Sequence, residues 1–336
     1  MRRSSCLLAL LVLLAAGDAA RGAADAVRVP VGFRVEVYAR GLVRPTALAW
    51  GPGGSLYATQ EGGAVVRVKP RKVIASGFAS PLGLVWADDG ALFVSARGTL
   101  WRVAGGSRRA LVRNLPYGRH QQDNVILHGG RLYFGSGSTC DACRGKSRYS
   151  ATVLSVKPGG GGLRIVAQEL RNPFGLAVDP ATGKLYVTIN ERDELGQGEP
   201  ADTVVEVRDG RRFGWPACWP SYKRKRLVGS CRGVTPPLAY LEPHSSADGL
   251  AVYRGESFPA AYRGNLFVAE WGEYLARRHG RKLTRVVLRP GRPAAVSTFA
   301  TGFDHPIAVT VDQRGALLVA DYGRGVVYRI QARGKR

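Results

Sequence analysis

One motif is written six times along this chain, and a sixfold repeat of short strands leaves few folds open. Each copy has a small turn, Pro or an equivalent, a short apolar run, and then a Gly turn leading into an aromatic or apolar pair. The copies read RPTALAW…GGSLYAT from Arg44, SPLGLVW…DGALFVS from Ser80, RHQQDNVIL…GGRLYFG from Arg119, NPFGLAV…TGKLYVT from Asn172, SADGLAVY…RGNLFVA from Ser246 and HPIAVTV…RGALLVA from His305. A further strand follows each: VVRV, LWRV, VLSVK, VVEVR, LTRVV and VVYRI. A period of about thirty to fifty residues built from short strands and Gly turns is the mark of a propeller, one antiparallel blade per repeat. The expected fold is all-β, a six-bladed β-propeller.

The repeat also says where chemistry should sit. In a propeller the first strand of each blade lines the central channel, so the residues just before it gather at one mouth of that channel. Here they are Arg44, Ser80, Gln121 beside His120, Asn172, Ser246 and His305, a polar ring rather than a row of core residues. His120 opens a polar run that continues through Gln121, Gln122, Asp123 and Asn124, which sets it apart from a turn histidine that merely ends a strand. By contrast His128 reads as an exposed hairpin residue, and Gly214-Trp215-Pro216 as a packing corner.

A chain of 336 residues could hold two domains, but repeats spanning 41–330 leave no room for a second. The first 26 residues open with two arginines, followed by an apolar run of about ten residues and then small residues, which reads as a secretory leader; the run is too short for a membrane span. The propeller then occupies 27–336, with no transmembrane segment in the mature chain and a periplasmic or secreted location. Beyond the leader, Cys140, Cys143, Cys218 and Cys231 remain, an even number suited to an oxidising compartment. Pairing Cys140 with Cys143 and Cys218 with Cys231 closes local loops; the alternative for the first pair, a redox or zinc role, would need further ligands. The formal charge is +24, yet the basic residues are scattered apart from the run at 223–226, and no nucleic-acid motif accompanies them. Nucleic acid is not an expected partner.

The middle of the chain is specific. Residues 170–220, LRNPFGLAVDPATGKLYVTINERDELGQGEPADTVVEVRDGRRFGWPACWP, closely resemble the glucose/sorbosone dehydrogenase family, in its sorbosone dehydrogenase-like branch. These are soluble six-bladed quinoproteins that use pyrroloquinoline quinone (PQQ). The resemblance rests on Arg171-Asn172-Pro173, the acidic segment 190–194, Gly214-Trp215-Pro216, and His120 ahead of Arg131-Leu132-Tyr133. It implies oxidation of a small sugar or sugar aldehyde, with PQQ as hydride acceptor and calcium as the polarising cation; the electron acceptor is not legible. His120 would be the base, a role that calls for a pKa near neutral. Arg171 and Asn172 would hold the quinone, with Gln121, Asn124, Arg44 and His305 lining it. Calcium would rest on the backbone carbonyls of Glu191 and Arg192, since carbonyl oxygens suit a hard ion.

Departures from the family pattern bear on the cofactor's carboxylates. The fifth repeat, FVAEWGEYLARRHGRK, has Gly272 and Glu273 near the place of an expected lysine, and the sixth enters with His305 where an arginine is expected. Arg44, Arg277 or Arg278 could reach in from neighbouring loops, and His244 and His279 lie in long fifth-blade loops. Two other function classes therefore stand beside the dehydrogenase. One is a cofactor-less propeller that binds a glycan or protein partner, and the other a calcium-dependent lactonase or esterase.

Overall fold

The computed structural model describes residues 26–273 and 278–334. Almost all of the expected leader, and Arg277, lie outside the described residues. Six antiparallel sheets follow one another, with inner strands Pro45–Gly51, Gly83–Trp86, Gln122–His128, Pro173–Val178, Ala247–Val252 and Pro306–Val311; the blades are numbered I to VI in that order. Each inner strand lies against the next, and the sixth returns to the first, closing the ring. Among the described residues no helix is long and apolar enough to cross a membrane.

The second strand of each blade is packed on both faces, which is why it reads as an apolar run rather than an alternation. Leu185–Ile189, Leu92–Ala96 and Leu317–Asp321 are buried at every residue. Outer strands face water, and Lys72–Ala75 leaves Val73 58% exposed. The Gly-Leu pair of the repeat has a steric cause. Neighbouring inner strands approach so closely at Gly175 that a Cβ there would lie 2.1 Å from the Asp248 carbonyl oxygen.

Closure is made by the N-terminal strand. Phe33–Ala39 pairs antiparallel with Val326–Ala332 and so becomes the outermost strand of blade VI. Phe33 also anchors that strand to blade V, edge-on to Phe258 at 4.7 Å and to Phe299 at 5.1 Å. Such aromatic pairs contribute about 0.5–1.5 kcal/mol each beyond their burial. Blades III and IV are elaborated. A short strand, Arg211–Arg212, joins blade III in parallel, and a separate hairpin, Cys218–Ser221 with Arg226–Gly229, precedes the outer strand Ala239–Tyr240 of blade IV. Both disulfides are formed, Cys140–Cys143 and Cys218–Cys231.

Candidate active site

Six equivalent backbone hydrogen bonds define one mouth of the channel. The amide of the residue after each second strand donates to the residue before the inner strand: Glu61 to Arg44 (3.0 Å), Arg97 to Ala79 (2.8 Å), Gly137 to Gln121 (2.7 Å), Asn190 to Asn172 (3.1 Å), Trp271 to Ser246 (2.9 Å) and Tyr322 to His305 (2.8 Å). Every expected ring position is thus brought to this mouth, with a one-residue slip in blade II, where Ala79 makes the bond and Ser80 follows it. Arg44, Ser80 and Ser246 share a left-handed backbone, φ 46°, 41° and 49°, so the turn before the inner strand is the same device in three blades. The bonds also reveal a second ring that reasoning from strand starts missed: Glu61, Arg97, Asn190, Trp271 and Tyr322. Its signal was present at the ends of the second strands, in YATQE, FVSAR, YVTIN, FVAEW and LVADY.

His120 is held against Ser138. Its Nδ1 lies 3.2 Å from the Ser138 carbonyl and 3.1 Å from Ser138 Oγ, while Ser138 Oγ donates to the Cys140 carbonyl at 2.6 Å. A carbonyl can only accept, and the serine proton is already engaged, so Nδ1 carries the hydrogen and the lone pair sits on Nε2. Burial, together with the Arg171 and Arg119 guanidiniums, pushes the imidazole down to about 3. The expectation of a near-neutral base is corrected on that point: the ring is neutral across the working range, because burial, and after it the Arg171 charge, disfavours the imidazolium. Beside it Asn172 is buried with Oδ1 unpartnered. Gly137 lets the two meet, since a Cβ there would stand 2.4 Å from His120 Cβ and 2.5 Å from Asn172 Oδ1.

Arg171 does not reach into the mouth as the resemblance implied. Its Nε and Nη2 donate to Asp141 Oδ1 at 3.0 and 2.5 Å, Nη1 to the Asn190 carbonyl at 3.1 Å and Nη2 to Asp193 Oδ2 at 2.8 Å. It ties the Cys140–Cys143 loop to the acidic segment, and its contact with the site is its charge. Burial raises the Asp193 carboxyl, but His244, Arg171 and Arg119 outweigh that and hold it below its ordinary value. His244 is raised in turn to about 9, first by its bond to Asp193. The Glu191 amide donates to Asp202 Oδ1 (2.9 Å), and burial raises the Glu191 carboxyl to about 8. The carbonyl oxygens of Glu191 and Arg192 receive no hydrogen bond among the described residues. Asn124 turns back on its own strand, its Oδ1 accepting from the Val125 amide at 2.8 Å. Its neighbour Asp123 is the buried one, with Oδ2 unpartnered, and burial and Asp248 raise its carboxyl well above the ordinary range.

The other side of the mouth is aromatic and basic. Trp271 packs on His305 with ring centroids 4.1 Å apart and stands edge-on to Tyr322 at 6.1 Å. Arg281, absent from the expected set, donates through Nη1 to Asp304 Oδ1 (2.9 Å) and through Nη2 to His305 Nε2 (2.9 Å). An arginine can only donate, so His305 Nε2 accepts and the ring is neutral; burial and Arg281 both lower its pKa. Arg44 and the Tyr322 hydroxyl both donate to Glu61 Oε2, at 3.0 and 2.9 Å. Arg97 spans Gln121 Oε1 and Ser80 Oγ, each at 3.0 Å, and Gln121 Nε2 donates to the Ser80 carbonyl at 2.6 Å. Arg278 is exposed, its backbone amide donating to Glu273 (3.1 Å). His279 Nδ1 lies 3.4 Å from Glu273 Oε1, so the glutamate near the expected lysine is engaged locally.

An uncharacterised protein of Borreliella burgdorferi is 25% identical over 199 residues, 54% of this chain and 52% of its own length. Aldose sugar dehydrogenase YliI of Escherichia coli is 27% identical over 119 residues, 34% of this chain and 30% of its own length. The chain thus spans about half, or less, of these curated relatives. The holo form of the pyranose dehydrogenase PQQ domain from Coprinopsis cinerea shares the fold, with a TM-score of 0.76 at 18% identity, covering 91% of this chain and 97% of that one. The family model for glucose/sorbosone dehydrogenase matches residues 158–329, just over half of the sequence. This chain, with its six blades and its polar mouth, belongs to the glucose/sorbosone dehydrogenase family.

Proposed function

We propose that the chain is a sugar oxidoreductase that works with PQQ and calcium at this mouth. The observation that carries the reading is His120, a neutral imidazole fixed at Nδ1 with Nε2 bare, set against an Asn172 amide whose Oδ1 has no protein partner. The mouth fits such a cofactor. Three carboxylates need cationic partners, and Arg44, Arg97 and Arg281 stand around it, with Gln121 and His305 between them. The open carbonyls of Glu191 and Arg192 suit calcium.

When bound, the quinone supplies a two-electron hydride acceptor. His120 Nε2 takes the proton of the sugar's anomeric hydroxyl, and Ser138 keeps the imidazole in the required tautomer. Burial and the Arg171 charge keep the ring unprotonated beforehand, and an anion arriving in the mouth offsets that charge and strengthens the base. Asn172 orients the acceptor, and the Trp271 indole gives a pyranose an apolar face.

Purified protein titrated with PQQ and calcium, followed by the cofactor's absorbance, should show saturable one-to-one uptake, and aldoses should then reduce an artificial acceptor. Asn172→Ala should weaken uptake. No uptake at saturating calcium would replace this reading with the cofactor-less propeller that binds a glycan or protein.

A further inference from the structure

A second concave site lies apart from the mouth, in a cleft of about 460 Å³ beside the two disulfides. One wall is the segment 144–148, RGKSR, held at its start by the Cys140–Cys143 bridge. The facing wall carries Ala217 and Ser230, which flank the Cys218–Cys231 bridge and are joined by the Ser230 amide donating to the Ala217 carbonyl at 2.9 Å. Trp215 lines the cleft as well, fixed by its Nε1 donating to the Asp141 carbonyl at 2.9 Å.

The charge in this cleft is one-sided. Arg212 shares Glu169, Nη2 to Oε1 at 2.7 Å, but among the described residues no carboxylate pairs with Arg144 or Arg148. Three guanidiniums therefore face one carboxylate. A guanidinium fork matches a carboxylate in shape, and the Ser147 and Ser230 hydroxyls can donate to or accept from the hydroxyls of a sugar. A disulfide anchors each wall at one end, Cys143 immediately before Arg144 and the Cys218–Cys231 bridge beside Ala217 and Ser230.

We propose that this cleft binds an acidic saccharide, a sugar carrying a uronate or aldonate carboxylate, with the carboxylate on Arg144 and Arg148 and the sugar hydroxyls on Ser147 and Ser230. The site stands independently of the redox reading, since none of these residues belongs to the mouth.

Calorimetric titration of the full chain with D-galacturonate, D-galactose and sulfate tests it. Galacturonate should bind saturably, and Arg144→Glu with Arg148→Glu should weaken it by about tenfold or more, as expected for lost charge-assisted contacts. The double variant should take up PQQ as the wild type does, and His120→Ala should bind galacturonate as the wild type does. Absence of galacturonate binding, an affinity unchanged in the double variant, or sulfate binding as tightly as galacturonate would each overturn the proposal.

Discussion

Across the channel mouth the same strand geometry carries two kinds of polar surface. At blades III and IV the Arg171 side chain is 3% exposed and every nitrogen of its guanidinium is matched, whereas at blade I the Arg44 side chain is 65% exposed and shares one carboxylate with Tyr322. The difference follows from what was added to each blade. Blades III and IV received the Cys140–Cys143 loop and the acidic segment, which cover their arginine, while blades I and II keep short turns that leave Arg44 and Arg97 near water. The buried, fully bonded Arg171 holds a fixed charge beside the His120 imidazole. Rim cations held by few bonds can re-aim when an anion arrives, at small cost.

That contrast can be broken by measurement. The largest effect should come from His120→Ala, which should lower turnover by about two to four orders of magnitude while leaving PQQ uptake nearly intact. Turnover equal to wild type would remove His120 as the base. Next, Arg171→Met should cost about 2–3 kcal/mol in denaturant unfolding, less than a fully buried pair because Asp193 is partly in water, and Arg44→Met should cost under about 1 kcal/mol. Similar losses in the two variants would erase the distinction between the halves.

Across the mouth, Arg281→Gln should weaken PQQ uptake about tenfold, as loss of one charge-assisted contact predicts; wild-type affinity would exclude it from the cofactor's carboxylates. The smallest effect belongs to His244 and Asp193. With His244 raised from 6.5 to about 9, its stabilisation is complete below pH 6.5 and fades as pH rises through 9. The depressed Asp193 carboxyl adds stability above its ordinary 3.8 that is lost at lower pH. His244→Asn should thus cost about 1 kcal/mol near pH 6 and nothing above pH 9, so a constant difference across that range would dissociate the pair from the effect.

The sixfold period carried the blades, the mouth and the position of His120, because strand alternation and turn residues are local properties of the chain. The second ring was just as periodic, at the far ends of the hairpins, and went unread only because attention fell on strand starts. Arg171 was beyond reach for a different reason. Its partner Asp141 lies 30 positions upstream in a loop, and nothing local says that the two meet. The imidazole's low pKa depends on that same encounter and on burial. Arg281 escaped notice because the site was searched for a lysine near Gly272 and Glu273, while the chain places its cation at the start of the next strand.

The strand that closes the ring has a consequence for biosynthesis. Phe33–Ala39 leaves the ribosome ahead of all six inner strands, and its partner Val326–Ala332 after them; the Glu36–Arg329 ion pair spans 293 positions. Blades I, II and V pair strands made in immediate succession, and III and IV pair strands from nearby stretches, but the sixth sheet waits until the other five have been made. Until then the first strand's edge and the apolar ring of Phe33 are uncovered, a state open to mispairing and to chaperones. Because the two partner strands lie side by side, a permuted chain that joins them by a short hairpin and opens between two other blades should reach the same ring through local pairing, and do so faster.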